Sequence, residues 1–191
     1  MAFSSSCKMK LTCVTSHVPE AILKPVLEDI TREELEIFRS YTITSIDEKL
    51  LISHAYNAER GQYNGSIILG SVRSLLSSQI GKNEKVVVVL DRDLYVPGLN
   101  FIFGIAEFPG RFAIVSITRL RESFYGFQEN IGILMERLKK EILHELGHTF
   151  GLDHCPNFCV MMFSNCIDEV DMKPPKYCKR CKAKIIKGCN P

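Results

Sequence analysis

The sequence lacks an excess of charge of either sign. Its 24 lysines and arginines face 22 aspartates and glutamates, for a formal net charge of +2. That balance excludes a global electrostatic attraction to nucleic acid or to an anionic membrane. Long hydrophobic runs are also missing: the aliphatic run Val86 to Leu90, like every other, is far too short to span a bilayer. Met1 to Lys10 has no apolar stretch of the kind a secretory signal needs. No internal repeat stands out, and a hydrophobic content of 46% excludes wholesale disorder. The expectation is a cytoplasmic protein of one domain, residues 1–191. In a reducing compartment its eight cysteines point to metal binding or burial before a disulfide framework.

What is present is a mixed pattern of strands and helices. Lys10 to Ser16 reads as a strand. A helix follows Pro19, with Ile22, Leu23, Val26, Leu27 and Ile30 on one face and Pro25 as a local weakness. Thr31 and Glu34 form a capping box that renews this helix toward Ser40. Tyr41 to Ile46 is a weaker strand. Gly65 to Ile80 is a second amphipathic helix, stopped by Gly81. Lys85 to Asp91 is the clearest strand, and its β-branched run predicts burial on both faces. Asn100 to Glu107 and Arg111 to Thr118 are paired antiparallel through the turn Phe108-Pro-Gly110. A long helix runs from about residue 128 to residue 150. The order β-α-β-α-β-β-β-α predicts an α/β domain whose mixed sheet has one antiparallel edge strand. The last 40 residues, rich in Cys, Lys and Pro, show little periodicity.

The chemistry is concentrated in His144-Glu-Leu-Gly-His-Thr-Phe-Gly-Leu-Asp-His154. His144 and His148 lie one helical turn apart on one face, where two imidazoles can share a tetrahedral zinc ion. Glu145 can reach a water on that zinc as a general base. Gly151 permits a sharp turn through positive φ, which returns His154 as third ligand. Three protein ligands leave one position open, the mark of a catalytic rather than a structural zinc site. A lone HExxH also arises by chance in helices rich in Glu and Leu. The longer H-E-x-x-H-x-x-G-x-x-H pattern, late in an amphipathic helix, is the metzincin signature and weighs against accident. Met161 is the candidate for the methionine beneath the metal, with Met162 the alternative; plain core filler is the simpler reading of either. His17 and His54 have no such setting.

Cys155, Cys159, Cys178 and Cys181 form two pairs separated by a loop. Four thiolates fill a tetrahedral zinc and leave no position for chemistry, so this site is expected to staple residues 155–191 to the sheet-and-helix part, residues 1–154. Cys166 is a substitute ligand if one of the four is wrongly chosen. Otherwise it is expected to be a free thiol, like Cys7, Cys13 and Cys189.

Together these residues resemble the archaemetzincins, a metzincin branch. The match lies in His144-Glu145, His148, Gly151, His154-Cys155, Cys159-Val-Met161 and Cys178-x-x-Cys181. It extends to Arg60-Gly-Gln-Tyr-Asn64 and to the stretch from Asp93 to Gly104. The gaps between Cys155 and Cys159, and between Met161 and Cys178, look one residue shorter than the family pattern. The resemblance implies a compact metzincin-like peptidase domain carrying two zinc ions, one catalytic and one structural.

The reaction expected is hydrolysis of a peptide bond, with Glu145 taking a proton from water and returning it to the leaving amine. A peptide or protein substrate would pair with the edge strand Asn100–Glu107 by β-augmentation. Neither nucleic acid nor membrane is expected as a partner, and the protein is expected to be a monomer. Two other classes compete. One is a zinc-ribbon nucleic-acid-binding module built on the Lys- and Arg-rich stretch Lys173 to Lys187. The other is a metal-binding protein without turnover, against which Glu145 speaks.

Overall fold

A computed structural model describes residues 7–189. Along the chain run β1 (Met9–Thr15), α1 (Glu20–Glu33), β2 (Phe38–Ser45), α2 (Lys49–Ile52), β3 (Tyr56–Asn57), β4 (Gln62–Asn64) and α3 (Gly65–Leu76). They are followed by β5 (Glu84–Leu90), β6 (Leu94–Tyr95), β7 (Gly104–Ala106), β8 (Phe112–Ser116), α4 (Ile131–Thr149), α5 (Ile167–Met172) and α6 (Lys179–Cys189). The main sheet has the order β2-β1-β5-β8-β7. β1, β2, β5 and β8 are parallel, and β7 joins β8 antiparallel at the edge. A small sheet, β3-β4-β6, lies apart from it.

The valine run of β5 behaves as its composition predicts. Val87 and Val89 pack into a core shared with α1 and α4, while Val86, Val88 and Leu90 pack into a second core with Ile68 and Val72 of α3. Alternation along a strand places successive side chains on opposite faces, so an unbroken apolar run needs a helix layer on each side. In α1 Pro25 is exposed, and the carbonyl that loses its N–H partner belongs to the exposed Ala21, which water can reach.

The structure corrects several expectations. α1 ends at Glu33 and is not renewed: Thr31 Oγ1 donates back to the carbonyls of Leu27 and Glu28, and Glu34 pairs with Lys182 instead of capping a helix. The strand expected over Asn100–Glu107 shrinks to Gly104–Ala106, because the residues before it are held by side chains rather than by a ladder. The C-terminal segment is not patternless. Cys181 and Ile185 supply the buried face of α6, and Val170 and Tyr177 join the main core. Cys7 and Cys189 are not free thiols but are joined in a disulfide, since α6 brings its last residue back to the start of β1. Cys13 is free and buried; Cys166 is free, exposed and outside the cysteine cluster. Among the described residues no helix is long and apolar enough to cross a membrane.

Candidate metal centre and cleft

α4 starts at Asn130, whose side chain accepts from the Ile133 N–H, and it buries nearly all of its second half. His144, Glu145 and His148 sit in that half. Gly151, at φ 78°, then turns the chain in the left-handed region, and the Leu152 N–H donates to the Gly147 carbonyl at 3.1 Å. The turn brings His154 beside the helix, with ring centroids 5.4 Å from His144 and 5.0 Å from His148. One nitrogen from each of the three rings lies within 4.8 Å of the others.

The tautomers follow from the partners. His144 Nδ1 lies 2.9 Å from the Val160 carbonyl, and His148 Nδ1 lies 2.7 Å from the Leu152 carbonyl. Carbonyls only accept, so both Nδ1 atoms carry the proton and both Nε2 atoms present a lone pair. Those Nε2 atoms face each other at 3.1 Å. Burial, the largest effect on each, lowers the pKa of His144 well below the ordinary value and lowers those of His148 and His154; the Lys173 charge acts in the same direction. With imidazolium disfavoured, two lone pairs in contact call for a cation between them. Two nitrogens on a tetrahedral zinc would stand roughly 3.3 Å apart. The residues fit such an ion.

Glu145 is 5% exposed and turns toward β7. A Cβ on Gly104 would come within 2.6 Å of Glu145 Cγ and 2.7 Å of its Oε1, so glycine at that edge position makes room for the carboxylate. Burial pushes the Glu145 pKa well up, Glu141 adds to the effect and Lys173 opposes it. On the other side of α4, a Cβ on Gly147 would meet Met161 Sδ at 2.2 Å and Tyr177 Cε1 at 3.2 Å. Met161 is fully buried there, beneath the histidine-bearing turn, whereas Met162 is only half-buried.

Ligand atoms of Cys155, Cys159, Cys178 and Cys181 also lie within 4.8 Å of one another. The Sγ atoms of Cys155 and Cys178 are 3.9 Å apart, against about 3.8 Å for two thiolates on one tetrahedral zinc. The Cys178 N–H donates to Cys159 Sγ at 3.2 Å. Burial acts to raise the Cys178 pKa, but the Cys181 backbone and the neighbouring thiols outweigh it and bring it down to about 7, toward the ligand form. This quartet belongs to the same packing unit as α4: Tyr177 donates its hydroxyl to the Leu143 carbonyl, and Val160, next to Cys159, supplies the acceptor for His144.

A cleft of about 600 Å³ opens between α4 and the stretch Leu99–Ala106. Phe108 and Phe163 stand exposed at its rim, near His148 and His154. Its irregular wall is braced from behind. Arg60 Nη2 donates to the Leu99 and Asn100 carbonyls, and Gln62 Nε2 donates to the Asn100 carbonyl and to Asp93. Asp93 in turn receives two hydrogen bonds from Arg119, whose guanidinium lies 4.3 Å over the Phe101 ring. These supporting residues carry no motif of their own chemistry. The signal for some of them lay in Arg60–Asn64 and Asp93–Gly104, the stretches that extend the family resemblance.

An α/β domain whose long helix, with the turn that follows it, sets three histidines and a glutamate beside an antiparallel edge strand is that of a zinc metallopeptidase. Comparison with known proteins agrees. The family model "Peptidase family M54" matches residues 16–187. The archaemetzincin of Thermococcus kodakarensis is 40% identical over 179 residues, covering 90% of this chain and 92% of its own. The crystal structure of the archaemetzincin of Methanopyrus kandleri superposes with a TM-score of 0.75 at 36% identity, covering 95% of this chain and 96% of its own. A zinc-dependent peptidase of Methanocorpusculum labreanum gives a TM-score of 0.78 at 29% identity, covering 92% of this chain and 99% of that one. The chain belongs to peptidase family M54, the archaemetzincins.

Proposed function

We propose that the chain hydrolyses peptide bonds in this cleft, with one zinc ion held by His144, His148 and His154 and with Glu145 as general base. A second, structural zinc is held by Cys155, Cys159, Cys178 and Cys181. The observation that carries the reading is the contact between two Nε2 lone pairs, fixed by carbonyls on both Nδ1 atoms, beside a buried carboxylate. Zinc, when bound, supplies Lewis acidity, acidifying water and polarising a carbonyl oxygen. Glu145 takes the proton from the attacking water and delivers it to the leaving amine. Gly104 leaves the carboxylate the room to do so. β7 is the edge strand of the sheet, and an extended substrate can lie along its outer side.

The test is Glu145→Gln. The amide keeps the shape of the carboxylate but accepts no proton, so peptide cleavage should fall by about a hundredfold or more. Elemental analysis should still find two zinc ions per chain, with the histidine-held ion lost first to a chelator. Cleavage at the wild-type rate would refute Glu145 as base; a single zinc per chain, unmoved by added metal, would refute the two-site assignment.

A further inference from the structure

One ion pair beside the cleft bears on the proposed hydrolysis only through its charge, which acts on Glu145 and the histidines. Glu141 lies four residues before Glu145, hence one turn away on the same face of α4, on the side remote from His148. It lines the cleft, and its Oε1 contacts Lys173 Nζ at 2.7 Å. The two side chains are only 3% and 1% exposed. Buried ion pairs are stable when further hydrogen bonds satisfy the remaining lone pairs and protons. Here neither Glu141 Oε1 nor Lys173 Nζ has a hydrogen-bond partner among the described residues beyond that ionic contact. The pair is therefore closed electrically but open in hydrogen bonding; its two unmatched atoms are buried, and the Glu141 side chain borders a cavity lined by Phe101, Phe103 and Ile105 as well as by Asn100, Ser164 and Asn165.

We propose that the Glu141–Lys173 pair makes the cleft select, next to the cleaved bond, a large side chain whose apolar body ends in a neutral hydrogen-bond donor, tyrosine above all. The proposal rests on the peptidase reading of the cleft and specifies its substrate class. An aspartate or glutamate side chain would enter against the carboxylates of Glu141 and Glu145, the acidic groups of the lining. A lysine or arginine would place a second cation beside Lys173 and share a carboxylate already engaged. Either leaves a desolvated charge without its own partner, which is strongly unfavourable. A phenol brings no charge. Its ring packs on Phe101 and Ile105, and its hydroxyl donates to the Glu141 carboxylate, a charge-assisted bond of the stronger kind. Phenylalanine fills the same walls but leaves the carboxylate unmatched.

The experiment uses peptides identical except for Tyr, Phe, Lys or Asp at the position flanking the cleaved bond. Cleavage by the zinc-loaded wild type is measured alongside equilibrium binding to the Glu145→Gln protein. The tyrosine peptide should exceed the phenylalanine peptide by roughly tenfold or more in both measurements, and the charged peptides should fall below phenylalanine. In Glu141→Leu/Lys173→Met the tyrosine-to-phenylalanine ratio should drop to about one. Glu141→Gln, which leaves the Lys173 cation without its counter-charge, should shift preference toward aspartate. Equal binding of tyrosine and phenylalanine by the wild type, or a preference for lysine, overturns the proposal. So does a tyrosine preference that survives the double substitution. Should the double variant fail to fold, the wild-type series decides alone. Selective binding of the tyrosine peptide without cleavage of any peptide would uphold this selectivity while refuting the hydrolytic reading.

Discussion

Gly104 shows how much of the site depends on a missing methyl group. A Cβ there would stand 2.6 Å from Glu145 Cγ and 2.7 Å from the Ile114 carbonyl oxygen. The glutamate can swing aside, but the backbone oxygen cannot. Gly104→Ala should therefore displace Glu145 and strain the β7–β8 pairing, lowering stability by about 1–3 kcal/mol and reducing kcat more than it raises KM. Denaturant unfolding and steady-state kinetics check the two halves. Lys85 offers a pH-dependent counterpart. Burial lowers its ammonium pKa from 10.5 to about 8, with Glu107 opposing the change. Between those values the unfolded chain retains a proton that the folded chain has released, so rising pH favours the fold. The stability of the wild type relative to Lys85→Met should grow by about 1–3 kcal/mol from pH 8 to 10.5. A flat difference would show that the group titrates normally. At this scale the meeting of the histidines with Glu145 and the turn at Gly151 were legible because they follow from spacing along one helix and its turn. Gly104, Glu141 and Lys173 were not, because their partners lie on other elements.

Among the elements, the parallel core of the sheet was legible and its working edge was only partly so. β5 announces itself by its valines. The wall of the cleft does not, since Leu99 to Phe103 owe their course to Arg60, Gln62 and a bridge from Ile102 to Leu94 rather than to a strand period of their own. α6 was hidden for another reason. Its inward positions are Cys181, Ile185 and Cys189, and two of these three are cysteines that read as chemistry before they read as a helical stripe. In the proposed two-zinc reading its order also draws on the quartet. Cys178→Ser with Cys181→Ser should leave the sheet and α4 folded but open residues 173–189 to proteolysis, because thiolate–zinc sites contribute on the order of 10 kcal/mol of apparent binding energy and few large apolar groups replace it. Metal affinity at the histidines should weaken as well, since Val160, whose carbonyl holds His144, directly follows Cys159. Retained protease resistance together with unchanged zinc affinity would show that these cysteines do not hold the segment.

For the whole molecule, the α/β class and the antiparallel edge could be read from the order of elements, whereas the bond between Cys7 and Cys189 could not. Those two residues are separated by 182 positions, and only the return of α6 to the start of β1 makes them neighbours. A cross-link over such a distance constrains the unfolded chain, by up to about 5 kcal/mol in the loop-entropy view. Replacing both residues, Cys7→Ser with Cys189→Ser, should lower Tm while sparing the metal quartet, a cleaner comparison than adding reductant, which the other thiols would also feel. An unchanged Tm would mean that the bond is not formed in solution or constrains little.

That bond also changes what a cut can do. Closed at Cys7 and Cys189, the described chain is a ring, and a single break in any exposed loop opens it without releasing a fragment. For an enzyme that cleaves polypeptides, a first encounter between two of its own molecules would leave a nicked but covalently whole protein. The nick would become visible only after the disulfide is reduced, as two bands where a non-reducing gel shows one.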